Sequence, residues 1–172
     1  IAYQQPYRLE RINNRIHFHE VSVPEYPLFS DPQYLLALTS KLVEVTEFEK
    51  LDLIHVHYAI PHATAAFLAQ DILKGKNISI PIVTTLHGTD ITLVGKDPSY
   101  LPIVEHSINR SDMVTAVSEH LKQDTYDHFK IEKEILVIPN FINTEKFKRI
   151  ENAELRKQYT ELEEKYLELK FK

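Results

Sequence analysis

Leu51–Ala63 (LDLIHVHYAIPHA) and Ile80–Ile91 (IPIVTTLHGTDI) decide how this chain is read, because each is an apolar run that stops abruptly in imidazole, hydroxyl and acid groups. Leu51, Leu53, Ile54 and Val56, and then Ile80, Ile82 and Val83, have the composition of strands buried on both faces, as in a parallel sheet. In such sheets the ligand crevice lies beyond the carboxyl ends of the strands. The polar clusters fall at that edge, so His55, His57, Tyr58, Thr84, Thr85, His87, Thr89 and Asp90 are candidates for holding a small polar substrate.

Working outward, Ile16–Val21 (IHFHEV) alternates as a strand does, and a Pro-, Tyr- and Phe-rich loop follows it. Asp31 and Pro32 start a helix with an apolar stripe of Leu35, Leu38, Leu42 and Val45, ending near Glu49. Pro61 opens the next helix, which packs Ala63, Ala66, Phe67 and Leu73 and stops at Gly75 in a left-handed turn. Further on come a helix over Ser99–Arg110 with Pro102 in its first turn, a strand over Met113–Ala116 and a Ser118-capped helix to about Phe129. A strand over Glu134–Ile138 ends the series. Thr144 and Glu145 open a short helix, with Phe141, Ile142 and Phe147 available for burial. Strands and helices alternating every 25 to 35 residues, roughly, give an α/β fold with a doubly wound, Rossmann-like parallel sheet.

The chain has 172 residues, 43% hydrophobic and 26% charged, which is ordinary composition for one core. No apolar run approaches the length of a membrane span, and no secretory leader opens the sequence. Zero cysteines fit a reducing compartment, and a cytoplasmic location is the expectation. A net charge of -5, with Lys and Arg scattered, argues against a nucleic-acid groove.

His55 and His57 project to one side of an extended strand, and His62 follows closely. Three imidazoles this near suit zinc, which motivates a metal-dependent hydrolase as a competing reading. No Cys completes the set, however, and histidine is often satisfied within a core, so no metal is expected. In TTLHGTD, two hydroxyls end a buried strand, and Gly88 allows close approach or a positive φ. Leu155, Tyr159, Leu162, Tyr166 and Leu169 mark an amphipathic helix that closes over its own domain or forms the seam of a homodimer.

Taken in order, HVHYAIPHA, TTLHGTDIT, SDMVTAVSEHLK and VIPNFINTEKF resemble the N-terminal domain of family 4 retaining glycosyltransferases, enzymes of two Rossmann-like domains in the GT-B fold. The first two segments, with VPEYPLF upstream, are similar to members that join N-acetylglucosamine from UDP-N-acetylglucosamine to L-malate in bacillithiol biosynthesis. The resemblance runs from about residue 3 to about residue 149. It implies no cofactor, L-malate as acceptor and a UDP-sugar donor held mostly by a second domain. It also implies that Tyr58 and Thr85 contact malate, that His87 acts catalytically beside the donor sugar, that Gly88 permits close approach, and that Thr84 and Asp90 shape the loop. In the family's retaining reaction the leaving diphosphate takes the acceptor proton, so no glycosidase-like carboxylate pair is needed. The family's opening strand and Gly-rich loop have no counterpart here, and Glu151–Lys172 does not match its second domain. The expectation is therefore a fragment, inactive alone: residues 1–150 as the acceptor-side domain and residues 151–172 as the amphipathic helix.

Overall fold

Strands β1 (Ile54–His57), β2 (Ile82–Leu86), β3 (Met113–Ala116) and β4 (Ile135–Val137) form one parallel sheet in the order β1-β2-β3-β4. In this computed structural model, residues 1–2, 4–5, 15–24, 33–149, 152, 154 and 156–161 are described. The chain divides into two compact units, Ile1–Pro139 and Asn140–Lys172. Helix α1 (Tyr34–Glu49) precedes β1, and α2 (Thr64–Lys74), α4 (Leu101–Arg110) and α5 (Glu119–His128) connect successive strands. A single helical turn, α3 (Thr89–Thr92), follows β2. This is the α/β parallel architecture expected from the sequence.

Right-handed crossovers between strands laid down in sequence order place their connecting helices on one face of the sheet. The contacts agree, with α2 packing on both α1 and α4. Ile54, Val56 and Ile82 are buried in one cluster with Leu38, Phe67 and Leu73; Leu86, Val114, Ala116 and Ile135 are buried in another with Val104, Ile108 and Leu121. Each fully buried aliphatic side chain contributes about 1.5–3 kcal/mol. The register puts His55, Val83 and Met113 side by side on the opposite face, followed by Thr85, Thr115 and Leu136 one pleat further on. That face is only partly covered among the described residues, with Met113 47% and Leu136 40% exposed. The expectation that β1 is buried on both faces is corrected accordingly. Ile54 and Val56 are buried, whereas His55 and His57 are exposed.

Local signals set several boundaries. Ser118 caps α5 by accepting a hydrogen bond from Leu121 N at 3.1 Å, and Pro102 sits in the first turn of α4, where its missing N–H costs nothing. Other expectations shift. Ile16–Val21 makes one parallel bridge, Ala2 to Glu20, in place of a strand. Pro61 follows a cis peptide inside a wide turn, Ala59–Ala63, and α2 begins after it at Thr64. Gly75 stays right-handed (φ -60°), and Asn77 takes the positive φ instead. The Asp31–Pro32 start of α1 and the loop from residue 25 through Phe29 lie outside the described residues. No helix among the described residues is long and apolar enough to cross a membrane.

In the second unit, Asn143 Oδ1 accepts from Glu145 N and Lys146 N, making a turn where a short helix was expected. Phe141, Ile142 and Phe147, expected to be buried, are exposed. Residues 156–161 are helical and Tyr159 is exposed. Leu155, Leu162, Tyr166 and Leu169 of the anticipated stripe lie outside the described residues.

Candidate functional site

The ends of β1 and β2 are adjacent, with His57 paired to Thr85. The pairing continues one step beyond the strand, where Tyr58 N donates to the Thr85 carbonyl at 2.9 Å. At this point the backbone turns sharply. Tyr58 has φ 77° and ψ 138°, which costs a bulky residue about 1–3 kcal/mol and survives only when its surroundings fix it.

Asp90 supplies much of that fixing. It is 3% exposed, and its Oδ2 accepts from Ala59 N at 2.8 Å, next to Tyr58. Its Oδ1 accepts from Gly88 N at 3.1 Å and, less closely, from His87 N at 3.4 Å. One buried carboxylate thus ties the loop after β1 to the loop after β2, a wider role than shaping its own turn. Gly88, at φ 117°, begins the α3 turn in a conformation that L side chains rarely adopt, although the space around it is open. Gly95 is needed for a different reason: a Cβ there would overlap the Asp90 carbonyl oxygen and crowd Phe129.

The ties bring Tyr58 and His87 together, ring centroids 5.1 Å apart. His57 Nδ1 lies 2.6 Å from His87 Nε2, and the His55 ring stacks on His57 with centroids 4.8 Å apart. Partial desolvation, then the imidazoles of His55, His87 and His62, lower the pKa of His57. Burial also lowers that of His62, against the opposing pull of the His57 backbone and Asp90. His62 Nδ1 is itself buried, with no hydrogen-bond partner among the described residues. Tyr58, 37% exposed, is open to a ligand.

The two threonines part company. Thr85 lies on the open face yet is 8% exposed, and its hydroxyl is engaged by His55 Nε2 at 2.8 Å and Thr115 Oγ1 at 2.7 Å. Thr84 points the other way, is 0% exposed, and shares a 2.7 Å hydrogen bond with the Ser111 hydroxyl. Thr84, expected to shape the loop, faces the helices because adjacent strand residues point to opposite sides, and its bond to Ser111 braces β2 against the end of α4. The His55–Thr85–Thr115 chain, the His57–His87 contact and the reach of Asp90 to Ala59 were not anticipated. Only the sheet register brings these partners together.

Two cavities flank Tyr58. One, of about 490 Å³, is mostly apolar and lined by Leu35, Ile60, Pro61, Val94, Tyr100 and Ile103, with Thr89 and Asp90 also in its lining. The other, of about 340 Å³, runs along β1 past Leu38, Leu42, Leu53, His55, His57 and His62. Among the described residues neither is lined by Lys or Arg. No group of three or more His, Cys, Asp or Glu is arranged to hold a metal ion among them either. His55 and His57 stack ring on ring.

A model of glycosyltransferase family 4 matches residues 2–146. Over 154 residues, 90% of the chain, the sequence is 46% identical to N-acetyl-alpha-D-glucosaminyl L-malate synthase of Bacillus anthracis. Over 124 residues, 72% of the chain, it is 31% identical to an uncharacterized glycosyltransferase of Methanocaldococcus jannaschii. The chain spans only 40% and 33% of the lengths of these two relatives. Among solved structures, it is similar to sucrose-phosphate synthase from Thermosynechococcus elongatus, with a TM-score of 0.52 and 17% identity, covering 80% of the chain and 36% of that structure. That likeness shows the fold.

Proposed function

The chain belongs to glycosyltransferase family 4, and on that premise we propose that it forms the acceptor-side domain of an enzyme that transfers N-acetylglucosamine from UDP-N-acetylglucosamine to the hydroxyl of L-malate, the sugar-transfer step of bacillithiol synthesis. The observation that carries the reading is the 46% identity to the relative named for that product. The strand-end geometry supports it. Tyr58 is exposed beside His87, and a phenol and imidazoles offer hydrogen-bond donors that orient a carboxylate without adding fixed charge.

Holding the acceptor hydroxyl against the anomeric carbon lowers the barrier mainly through orientation. In a retaining transfer of this kind, the C–O bond to the diphosphate breaks as the bond to malate forms on the same face, and the departing diphosphate takes the malate proton. His87 hydrogen-bonds the donor sugar in that transition state and transfers no proton. Tyr58 holds malate, Gly88 leaves room for the ligand, and Asp90 keeps the two loops in register. Thr85 reaches the acceptor only with whatever hydrogen-bonding capacity His55 and Thr115 leave it. The UDP moiety is held mainly by residues beyond this chain.

The test is incubation of the intact protein with UDP-N-acetylglucosamine and L-malate, with mass spectrometry of the products. Malate-dependent release of UDP with formation of the glycoside is expected. The apolar 490 Å³ cavity beside Tyr58 favours a second reading, a larger and less polar acceptor. Transfer to such a compound, with none to malate, would discard the acceptor assignment and leave the family intact.

A further inference from the structure

His57 ends β1 and His87 follows β2 by one residue, and their Nδ1 and Nε2 atoms lie 2.6 Å apart, with ring centroids separated by 4.9 Å and planes tilted by 35°. At that separation two bare nitrogens repel through their lone pairs, and two N–H groups repel through their hydrogens. One proton must lie between them. A neutral imidazole carries a single proton on one of its two nitrogens, which constrains the pair further. If the shared proton belongs to His57 Nδ1, His87 must carry its own on Nδ1. If it belongs to His87 Nε2, His57 must carry its own on Nε2. In both cases the rings adopt the same tautomer, and the two outer nitrogens are one donor and one acceptor that exchange roles together.

We propose that His57 is the positioning residue of His87: it occupies Nε2, leaves Nδ1 as the one nitrogen of His87 free for a ligand, and couples the tautomers of the two rings. The surroundings suit an uncharged His57. His55 stacks on His57 from the same strand, the Tyr58 ring flanks His87, and His62 approaches from the following turn. Asp90 spends its carboxylate on the backbone N–H groups of Ala59, Gly88 and His87. Burial and the neighbouring imidazoles lower the pKa of His57, which keeps it uncharged at neutral pH.

The consequence for sugar transfer rests on the transferase reading, but the tautomer coupling does not. The test is imidazole nitrogen NMR of the intact protein labelled with 15N-histidine, at neutral pH. His57 and His87 should show the same tautomer. His57→Phe, which keeps a ring for stacking, should release His87 to the averaged pattern of a free imidazole. His57→Asn, whose amide reaches nearly the Nδ1 position, should restore a fixed tautomer. In the transfer assay His57→Phe should lower kcat about tenfold or more while KM for malate stays within about twofold, with His57→Asn recovering most of the loss. Opposite tautomers in the wild-type protein, or a His87 signature unmoved in His57→Phe, would overturn the proposal. The wild-type measurement requires no variant to fold. Matched tautomers in a protein that transfers no sugar would sustain the pair and overturn only the substrate reading.

Discussion

The two faces of the sheet are built from alternate residues of the same four strands, yet they are held by different forces. Apart from Thr84, the helix face is apolar, carrying Ile54, Val56, Ile82, Leu86, Val114, Ala116 and Ile135, all buried. The other face carries the His55–Thr85–Thr115 hydrogen-bonded row and the half-exposed Met113 and Leu136. Burial of hydrocarbon is insensitive to direction, whereas hydrogen bonds fix side chains at defined angles. The first face therefore holds the unit together, and the second, at its carboxyl edge, aims His57, Tyr58 and His87.

The contrast breaks most visibly in the helix face. Ile82 is 1% exposed and belongs to the cluster with Leu38, Phe67 and Leu73. Ile82→Ala should cost about 2–5 kcal/mol, the lost transfer energy plus the cavity left behind. Urea unfolding of the intact protein checks it. A loss under about 1 kcal/mol would mean that the helix face is not the main source of stability.

Thr85→Val tests the other face with nearly the same shape. It removes the Thr85 Oγ1 partner of His55 Nε2 and strands the buried Thr115 hydroxyl. A loss of about 1–3 kcal/mol is expected, below that of Ile82→Ala, because burial of unsatisfied polar groups replaces the cavity as the penalty. The double variant with Thr115→Val should recover part of it, since one stranded partner is then removed. If the single and double variants lose the same amount, the row is not a connected network.

These pairs also show what the sequence made legible. Met113–Ala116 and the Ser118 cap were read correctly because composition and capping are local. The carboxyl-edge location of Tyr58 and His87 followed from the way two apolar runs end. The face assignment did not, because LDLIHVH offers apolar residues at both parities, and only the crossovers decide that Ile54 and Val56 face the helices. Thr84 and Thr85 look equivalent in sequence and lie on opposite sides for the same reason. The Asp90 tie to Ala59 spans 31 residues, and no local pattern encodes it.

Acidification sharpens the comparison, since His55 and His57 lie on the open face. His57 and His62 have pKa values lowered from 6.5, largely by burial. Below about pH 6.5 the unfolded chain therefore binds more protons than the folded one, and their contribution to stability falls with pH until the lowered folded values are passed. Unfolding measured at about pH 7.5 and about pH 5.5 should show a smaller loss on acidification in His57→Phe than in the wild type. An equal loss would place the pH sensitivity elsewhere. The effect should be modest, because His57 is partly open to solvent.

The smallest effect is expected at Leu136, which is paired with Thr115 on the open face but is 40% exposed. If that face contributes direction more than burial, Leu136→Ser should cost only about 1 kcal/mol, in proportion to the part of the side chain it buries. Its neighbour Ile135 is 0% exposed on the helix face, and Ile135→Ala should behave like Ile82→Ala. Adjacent residues in the same short strand would then differ severalfold in cost, with side-chain direction as the main difference between them. A large loss at Leu136 in the intact protein would show instead that a further segment covers this face, making both sides of the sheet apolar layers.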